Sequence, residues 1–336
     1  MDAPLWTDVH APTLAEIPQD DVRDYLERGV EEPINLVVHG PPGAGKTAAV
    51  RAMAREAHAD PDNDFVVLNV ADFFDRTKSE ITDDPRFAPF LEGHSNLPKR
   101  DMITRVLRES VSYAPVSGDY RTLLLDNAEV IREDFQQALR RVMERHHQTT
   151  QFVLATRQPT KLIPPIRSRC FPVAMRAPTD AEIVDVLADI ADSEDIEYDR
   201  EALSYVAAYA DGDLRAAILA AQTAAEQGAS LTGTEPLETL EGVGTDDEVA
   251  AMLADARTGE FGDARSTLDD LLVDEGLSGE ELLADVLRVA RKRDVVPDER
   301  LAELHHLAGE VDRQLDAGTS DRIHLSRLLA ELGREA

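Results

Sequence analysis

Gly40-Pro41-Pro42-Gly43-Ala44-Gly45-Lys46-Thr47 reads G-x-x-x-x-G-K-T, and the elements on either side decide how the chain folds. Before it, Ile34-Asn35-Leu36-Val37-Val38-His39 is an apolar run with the look of a buried strand. After it, Ala48 to Arg55 reads as a helix. A strand, a glycine loop and a helix start form the context of a phosphate-binding loop. Glycines let backbone wrap a phosphate without Cβ clashes. The open N–H groups and the dipole at the helix start attract the anion. In such a loop Lys46 reaches the β- and γ-phosphates and the Thr47 hydroxyl holds Mg²⁺. Read alone, the run could also be an ordinary Gly/Pro turn.

A length of 336 residues allows two or three domains, and a hydrophobic content of 43% allows a large core. The formal net charge is −31. Lysine occurs only at 46, 78, 99, 161 and 292, so most cations are arginine. This points to a high-salt cytoplasm, where a Debye length of about 3 Å at 1 M screens self-repulsion. An acidic protein from ordinary salt is the open alternative. The lone Cys170 excludes an internal disulfide and argues for a cytoplasmic location. No apolar run approaches the roughly 20 residues of a membrane span. The acidic start Met1-Asp2-Ala3-Pro4 lacks signal-peptide features, so no membrane partner is expected.

Trp6 to Pro18 reads as irregular, and Asp20 to Arg28 as a capped helix ended by Gly29. Further strands are expected at Phe65–Val70, Thr122–Leu125 and Phe152–Thr156, with helices at Arg100–Tyr113 and Asp134–His147. Strands alternating with helices imply an α/β layer with a parallel sheet. Phe73 to Asn96 has weak periodicity and reads as an elaborated surface segment. After Asp180 the strand signal largely vanishes. Helices are expected at about 180–192, 199–210 and 213–227, then a linker from Gly228 to Thr245, then a helical remainder.

Leu123-Leu124-Leu125-Asp126 is an apolar strand ending in a carboxylate, which is the second element of a nucleotide site. Asp126 there helps bind Mg²⁺, directly or through water. An active hydrolase of this kind usually places Glu next, to orient the attacking water. This chain has Asn127, and an amide cannot accept a proton from water. Glu129, two residues further, is a candidate substitute.

Several stretches resemble the small subunits of replication factor C, clamp loaders within the AAA+ ATPases. They are Pro165-Ile166-Arg167-Ser168-Arg169-Cys170, the preceding Lys161 to Pro164, Gln136 to Glu144, Gly212-Asp213-Leu214-Arg215 and Gly276 to Glu281. The resemblance implies an AAA+ P-loop NTPase domain with a parallel sheet (1–176), a small helical lid (177–233) and an all-α oligomerising collar (240–336). It implies ATP and Mg²⁺ as cofactors. Gly40, Pro41, Pro42, Gly43, Ala44, Gly45, Lys46, Thr47 and Arg215 would bind nucleotide, and Thr47 and Asp126 the metal. Arg169 becomes an arginine finger for the neighbouring subunit, and Arg215 a second sensor just inside a helix capped by Asp213.

Three departures fall on the nucleotide site. Asn127 replaces the expected Glu. Arg157 stands where the family usually has a first-sensor Asn. Trp6 to Pro12 keeps the Trp and Pro of the family's N-terminal signature without its Lys, Tyr and Arg. The expected function is a subunit that binds ATP, hydrolyses it weakly and still supplies a finger. The alternatives are a fully active motor subunit and a stand-alone AAA+ remodelling ATPase. The implied partners are other small and large subunits in a hetero-oligomeric ring, a sliding clamp and primer–template DNA. Arg105 and Arg108, three residues apart on the matching helix, become phosphate contacts or a solvated arginine face. Phe73, Phe74, Phe87, Phe90 and Leu91 lie where family members approach the clamp, although packing on their own domain is favoured.

Overall fold

The computed structural model describes residues 5–70, 78–83, 88–91, 97–226, 231–232, 246–273, 278–292, 295–316 and 320–333. Five strands form one sheet: β1 (Leu36–His39), β2 (Phe65–Asn69), β3 (Arg121–Asp126), β4 (Thr150–Thr156) and β5 (Phe171–Ala174). Their spatial order is β2-β3-β4-β1-β5, with every pairing parallel. Parallel neighbours need crossovers, and helices supply them. The longer ones in this part are α1 (Asp20–Glu31), α2 (Lys46–Ala57), α3 (Lys99–Ser110) and α4 (Glu133–His146).

Both faces of the sheet are covered, so its strands read as apolar runs rather than alternating ones. Leu123, Leu125, Phe152 and Leu154 pack on one face with Met102 and Val106 of α3 and Leu139 and Met143 of α4. Leu124, Val153, Leu36 and Val38 pack on the other with Leu26 of α1 and Val50 and Met53 of α2. Fully burying side chains of this size contributes roughly 1.5–3 kcal/mol each.

β5 was not expected from the sequence. Pro172 lacks a ladder donor and fits a sheet edge, and only Val173 of the four residues is buried. Backbone bonds from Phe171 N to Asn35 O and from Met175 N to His39 O, both 2.7 Å, fasten it beside β1. The start of the chain also differs from expectation. Trp6–Val9 is a short helix with Trp6 buried, and its Trp6 N–H donates to Gln222 Oε1 at 2.8 Å.

Chain packing divides into two compact units, Met1–Pro236 and Leu237–Ala336. The first includes α5 (Asp180–Ser193), α6 (Arg200–Ala210) and α7 (Leu214–Glu226). Thr179 and Glu182 form a capping box at the start of α5, and Asp199 caps α6 through Ala202 N. The second unit is helical among the described residues: α8 (Asp246–Thr258), α9 (Phe261–Val273), α10 (Gly279–Lys292), α11 (Asp298–Asp316) and α12 (Asp321–Leu332). Its core includes Leu253, Leu268, Leu282, Leu304 and Leu325. Gly279 N–H donates to Asp321 Oδ2 at 3.0 Å, tying the start of α10 to that of α12.

Phe90 and Leu91 pack into the core that contains Met102. Phe73, Phe74, Phe87, Gly276, Leu277 and most of the expected linker lie outside the described residues.

Candidate nucleotide site

β1 ends at His39, β3 at Asp126 and β4 at Thr156, so their carboxyl ends share one edge of the sheet. The loop 40–47 leaves β1 there, and α2 starts at Lys46 after Gly45. Gly43 (φ 64°) and Gly45 (φ 86°) occupy the left-handed region, where a Cβ carries a steric penalty. Gly40 is required for another reason. A Cβ there would lie 2.0 Å from the Met175 carbonyl oxygen.

Lys46 Nζ donates to the loop's own carbonyls, Gly40 O at 2.9 Å and Pro41 O at 2.6 Å. Burial holds its ammonium below the ordinary lysine value; Glu129, Asp126 and Asp213 oppose that shift and Arg157 adds to it. Thr47 Oγ1 donates to Asp126 Oδ2 at 2.8 Å. A hydroxyl and a carboxylate placed together are hard oxygen donors of the kind Mg²⁺ takes. The loop backbone, Lys46 and this pair therefore fit a magnesium-bound nucleoside triphosphate. Bound there, it would supply the phosphoryl group on which the site's chemistry acts.

Asn127 sits at φ 55°, ψ 44°, a left-handed conformation that Asn tolerates better than most residues. Its Nδ2 donates to Asn69 Oδ1 at 2.9 Å, which directs the amide to the end of β2. Glu129 is buried. Its Oε2 accepts from Thr156 Oγ1 at 2.8 Å and from Arg157 N at 3.2 Å, and its Oε1 accepts from Arg157 Nε at 2.9 Å. Burial pushes the carboxyl up, and the bonds from Arg157 and Thr156 outweigh burial and leave it below the ordinary value. Glu129 is thus an engaged carboxylate.

Arg169 is exposed. Its Nη1 donates to Pro165 O and its Nη2 to Glu144 Oε1, both at 2.6 Å. Next to it, burial pushes the half-buried Cys170 thiol up to about 12. Arg215 is exposed in the first turn of α7 and makes no side-chain bond among the described residues. Asp213 caps α7 by accepting from Ala216 N at 2.9 Å. The same carboxylate lies against the phosphate loop, because a Cβ on Gly43 would be 1.9 Å from its Oδ1. Arg105 is turned inward, with Nε on Phe90 O at 3.1 Å and Nη2 3.3 Å from Glu109. Arg108 is exposed.

Sequence reasoning missed four contacts here: Asn69 on Asn127, Glu129 on Arg157, Glu144 on Arg169, and Asp213 on Gly43. It also missed a grip of the N-terminal segment on α5–α7 and their approach. Besides Trp6 on Gln222, His10 meets Glu194 at 2.6 Å. Gln19 bonds the backbone of Arg176 on both sides, at 3.0 and 2.9 Å. Arg176 forks onto Glu182 at 2.7 and 2.6 Å. Buried Gln19 and Gln222 were the available signal, since polar side chains in a core need partners.

Fold and site define a nucleotide-binding domain of the AAA class, and residues 36–177 match the ATPase family associated with various cellular activities (AAA). A variant of Thermotoga maritima RuvB shares the fold, with a TM-score of 0.52 and 18% identity, covering 82% of this chain and 84% of that one. Residues 245–331 match the replication factor C C-terminal domain. The replication factor C small subunit of Halobacterium salinarum is 30% identical, over 99% of this chain and 97% of its own length. Those of Staphylothermus marinus and Natronomonas pharaonis are each 31% identical over 98% of this chain, covering 94% and 95% of their lengths. The chain belongs to the replication factor C small-subunit family.

Proposed function

We propose that this chain is a clamp-loader small subunit that binds magnesium-ATP, hydrolyses it weakly and lends Arg169 to the nucleotide of a neighbouring subunit. One observation carries the reading: the phosphate cradle is complete, while the carboxylate that could replace the missing Glu is engaged on both oxygens. A general base must reach the water whose proton it takes. Asn127 has no basic oxygen for that role, and Glu129 is occupied by Thr156 and Arg157. Arg169 is in the opposite condition. Its partner Glu144 is a half-exposed surface residue, and such ion pairs contribute about 0–1 kcal/mol. Moving the guanidinium to a neighbour's phosphate therefore costs little.

Full-length similarity to replication factor C small subunits supports a ring with other small and large subunits, acting on a sliding clamp and primer–template DNA. Residues 177–233 act as the lid and 240–336 as the collar. The Asp213 contact with Gly43 sets the start of α7 against the phosphate loop, which supports Arg215, in the first turn of that helix, as the second sensor. Arg108 carries the DNA-backbone contact more than Arg105, which is engaged internally. The charge of −31 fits a high-salt cytoplasm and confines DNA contact to local arginines. No helix among the described residues is long and apolar enough to cross a membrane.

The test is clamp loading and ATP hydrolysis by the reconstituted complex. Arg169→Ala is expected to lower hydrolysis by the neighbouring subunit about 10³-fold or more, the range for a trans-acting finger. Hydrolysis at the wild-type rate would remove the finger assignment.

A further inference from the structure

Arg140 and Glu144 stand one turn apart on α4, so their side chains share a face of the helix. Leu139 and Met143 of the same helix join the core, and Cys170 packs against that core. The residue after Arg169 is thus anchored, and the guanidinium swings from a fixed root. Two bonds fold it back on its own domain, from Nη1 to Pro165 O and from Nη2 to Glu144 Oε1, both at 2.6 Å. The same Oε1 has a second cation beside it. Arg140 Nε lies 3.7 Å away, too far for a hydrogen bond. That Nε is buried and has no hydrogen-bond partner among the described residues. Glu144 therefore stands between two arginines, bonded to one and short of the other. The side chains of Arg140, Glu144 and Arg169 are 34%, 42% and 38% exposed, so each has room to turn.

Two guanidinium groups on one carboxylate oxygen compete for it and repel each other. A buried donor without an acceptor favours any movement that supplies one. We propose that Glu144 is a positioning residue that parks Arg169, with Arg140 as its exchange partner. When Arg169 leaves for the neighbouring subunit's phosphate, Glu144 turns to Arg140 Nε. The bond that Glu144 loses is replaced within its own helix, and a buried donor gains an acceptor. Arg140 thus eases the departure of an arginine to which it does not bond. This inference rests on the arginine-finger reading above, and the test separates the two.

The test is ATP hydrolysis by the reconstituted complex, with a thermal melt of each variant. It is measured without DNA, so that no arginine contact with a phosphodiester backbone enters, and over a range of ATP concentrations. The quantity read is the part of kcat that Arg169→Ala removes. Arg140→Met keeps the apolar stem and removes the competing cation. It leaves Glu144 to Arg169 alone, and is expected to lower that part about two- to fivefold with KM unchanged. Glu144→Gln unparks the finger and is expected to raise it about twofold. Arg140→Met combined with Glu144→Gln is expected to recover the loss, which a purely structural role for Arg140 would not allow. Hydrolysis unmoved by Arg140→Met, or lowered by Glu144→Gln, overturns the proposal; if Arg169→Ala still lowers it, the finger reading stands. Hydrolysis unchanged in Arg169→Ala overturns both. If Arg140→Met fails to fold, Arg140→Gln takes its place with the same expected loss and recovery.

Discussion

The two ends of the sheet are built from the same strands and treat polar groups in opposite ways. At the amino end, polar side chains form a nearly closed network. His58 Nε2 meets Thr122 Oγ1 at 2.8 Å, Thr122 donates to Gln151 at 3.0 Å, and Gln151 donates to Gly29 O and Ile34 O. Asp64 accepts two backbone bonds and one hydroxyl bond from Val116 and Ser117. Arg121 donates to Asn63 O, Ser110 O and Tyr113 O. Of this set only Arg121 Nε, and beside it Thr150 Oγ1 at the start of β4, lack partners among the described residues. At the carboxyl end, Lys46 is held by loop carbonyls and Arg169 by a surface glutamate, groups they can exchange, while Arg157 is anchored to buried Glu129 through Nε alone. Satisfied buried polar groups fix one structure, whereas exchangeable ones leave donors for a ligand. The same fold thus has one end for stability and one for binding.

Substitutions at the two ends sharpen the contrast. Lys46→Ala is expected to weaken ATP binding at least about 100-fold and to shift the melting temperature little, because the side chain bonds only to loop carbonyls. A calorimetric titration and a melt check both parts, and a large loss of stability would break the contrast. Asp64→Ala is expected to do the reverse. It removes the shared acceptor of two backbone N–H groups and a hydroxyl on the exposed Val116 and Ser117, which water can partly replace, and is expected to cost about 1–3 kcal/mol in all. Denaturant unfolding should register the loss, with ATP affinity in the folded protein preserved.

Gly43→Ala tests a point where the binding end tolerates no change. A left-handed φ costs a non-glycine residue about 1–2 kcal/mol, and the new Cβ would collide with the Asp213 carboxylate. Weaker ATP binding is expected, together with faster protease cleavage around 177–213 as α7 is displaced. Cleavage at the wild-type rate would mean that Asp213 yields without moving the helix.

The smallest effect is a pH dependence near the approach to α5. Arg176 and burial act in opposite senses on Glu182, and the Arg176 bonds prevail, holding it at about 2 against an ordinary 4.5. A carboxyl lowered in the folded state contributes stability that is present above about 4.5 and lost as pH falls toward about 2. Glu182→Gln is expected to flatten the unfolding profile over that window, and an unchanged slope would place the titration elsewhere.

The binding end was the more legible from sequence because its parts are local. Gly40 to Thr47 is one continuous run, and Asp126 closes an unbroken apolar strand. The contacts that set its chemistry are distant in sequence. Glu129 and Arg157 are 28 residues apart, Arg169 and Glu144 are 25 apart, and Asp213 reaches Gly43 from another helix. No periodicity links such pairs, so Glu129 reads as a candidate base until its partners are seen. The closed end was not legible, because His58, Thr122 and Gln151 are far apart in sequence and nothing local pairs them. β5 escaped notice because Pro172 argues against a central strand and only one of its side chains is buried. The longer helices of the first unit were visible to within a few residues, since their apolar stripes repeat over several turns, whereas Trp6–Val9 was not expected and those after Asp246 were expected only as a helical remainder without bounds.

The most direct test of the central claim is single-turnover hydrolysis by the purified chain, with magnesium-ATP bound stoichiometrically in molar KCl. The account predicts tight binding with almost no conversion to ADP. Prompt conversion that Lys46→Ala abolishes would contradict it, and would mean that this site turns over without a glutamate at position 127.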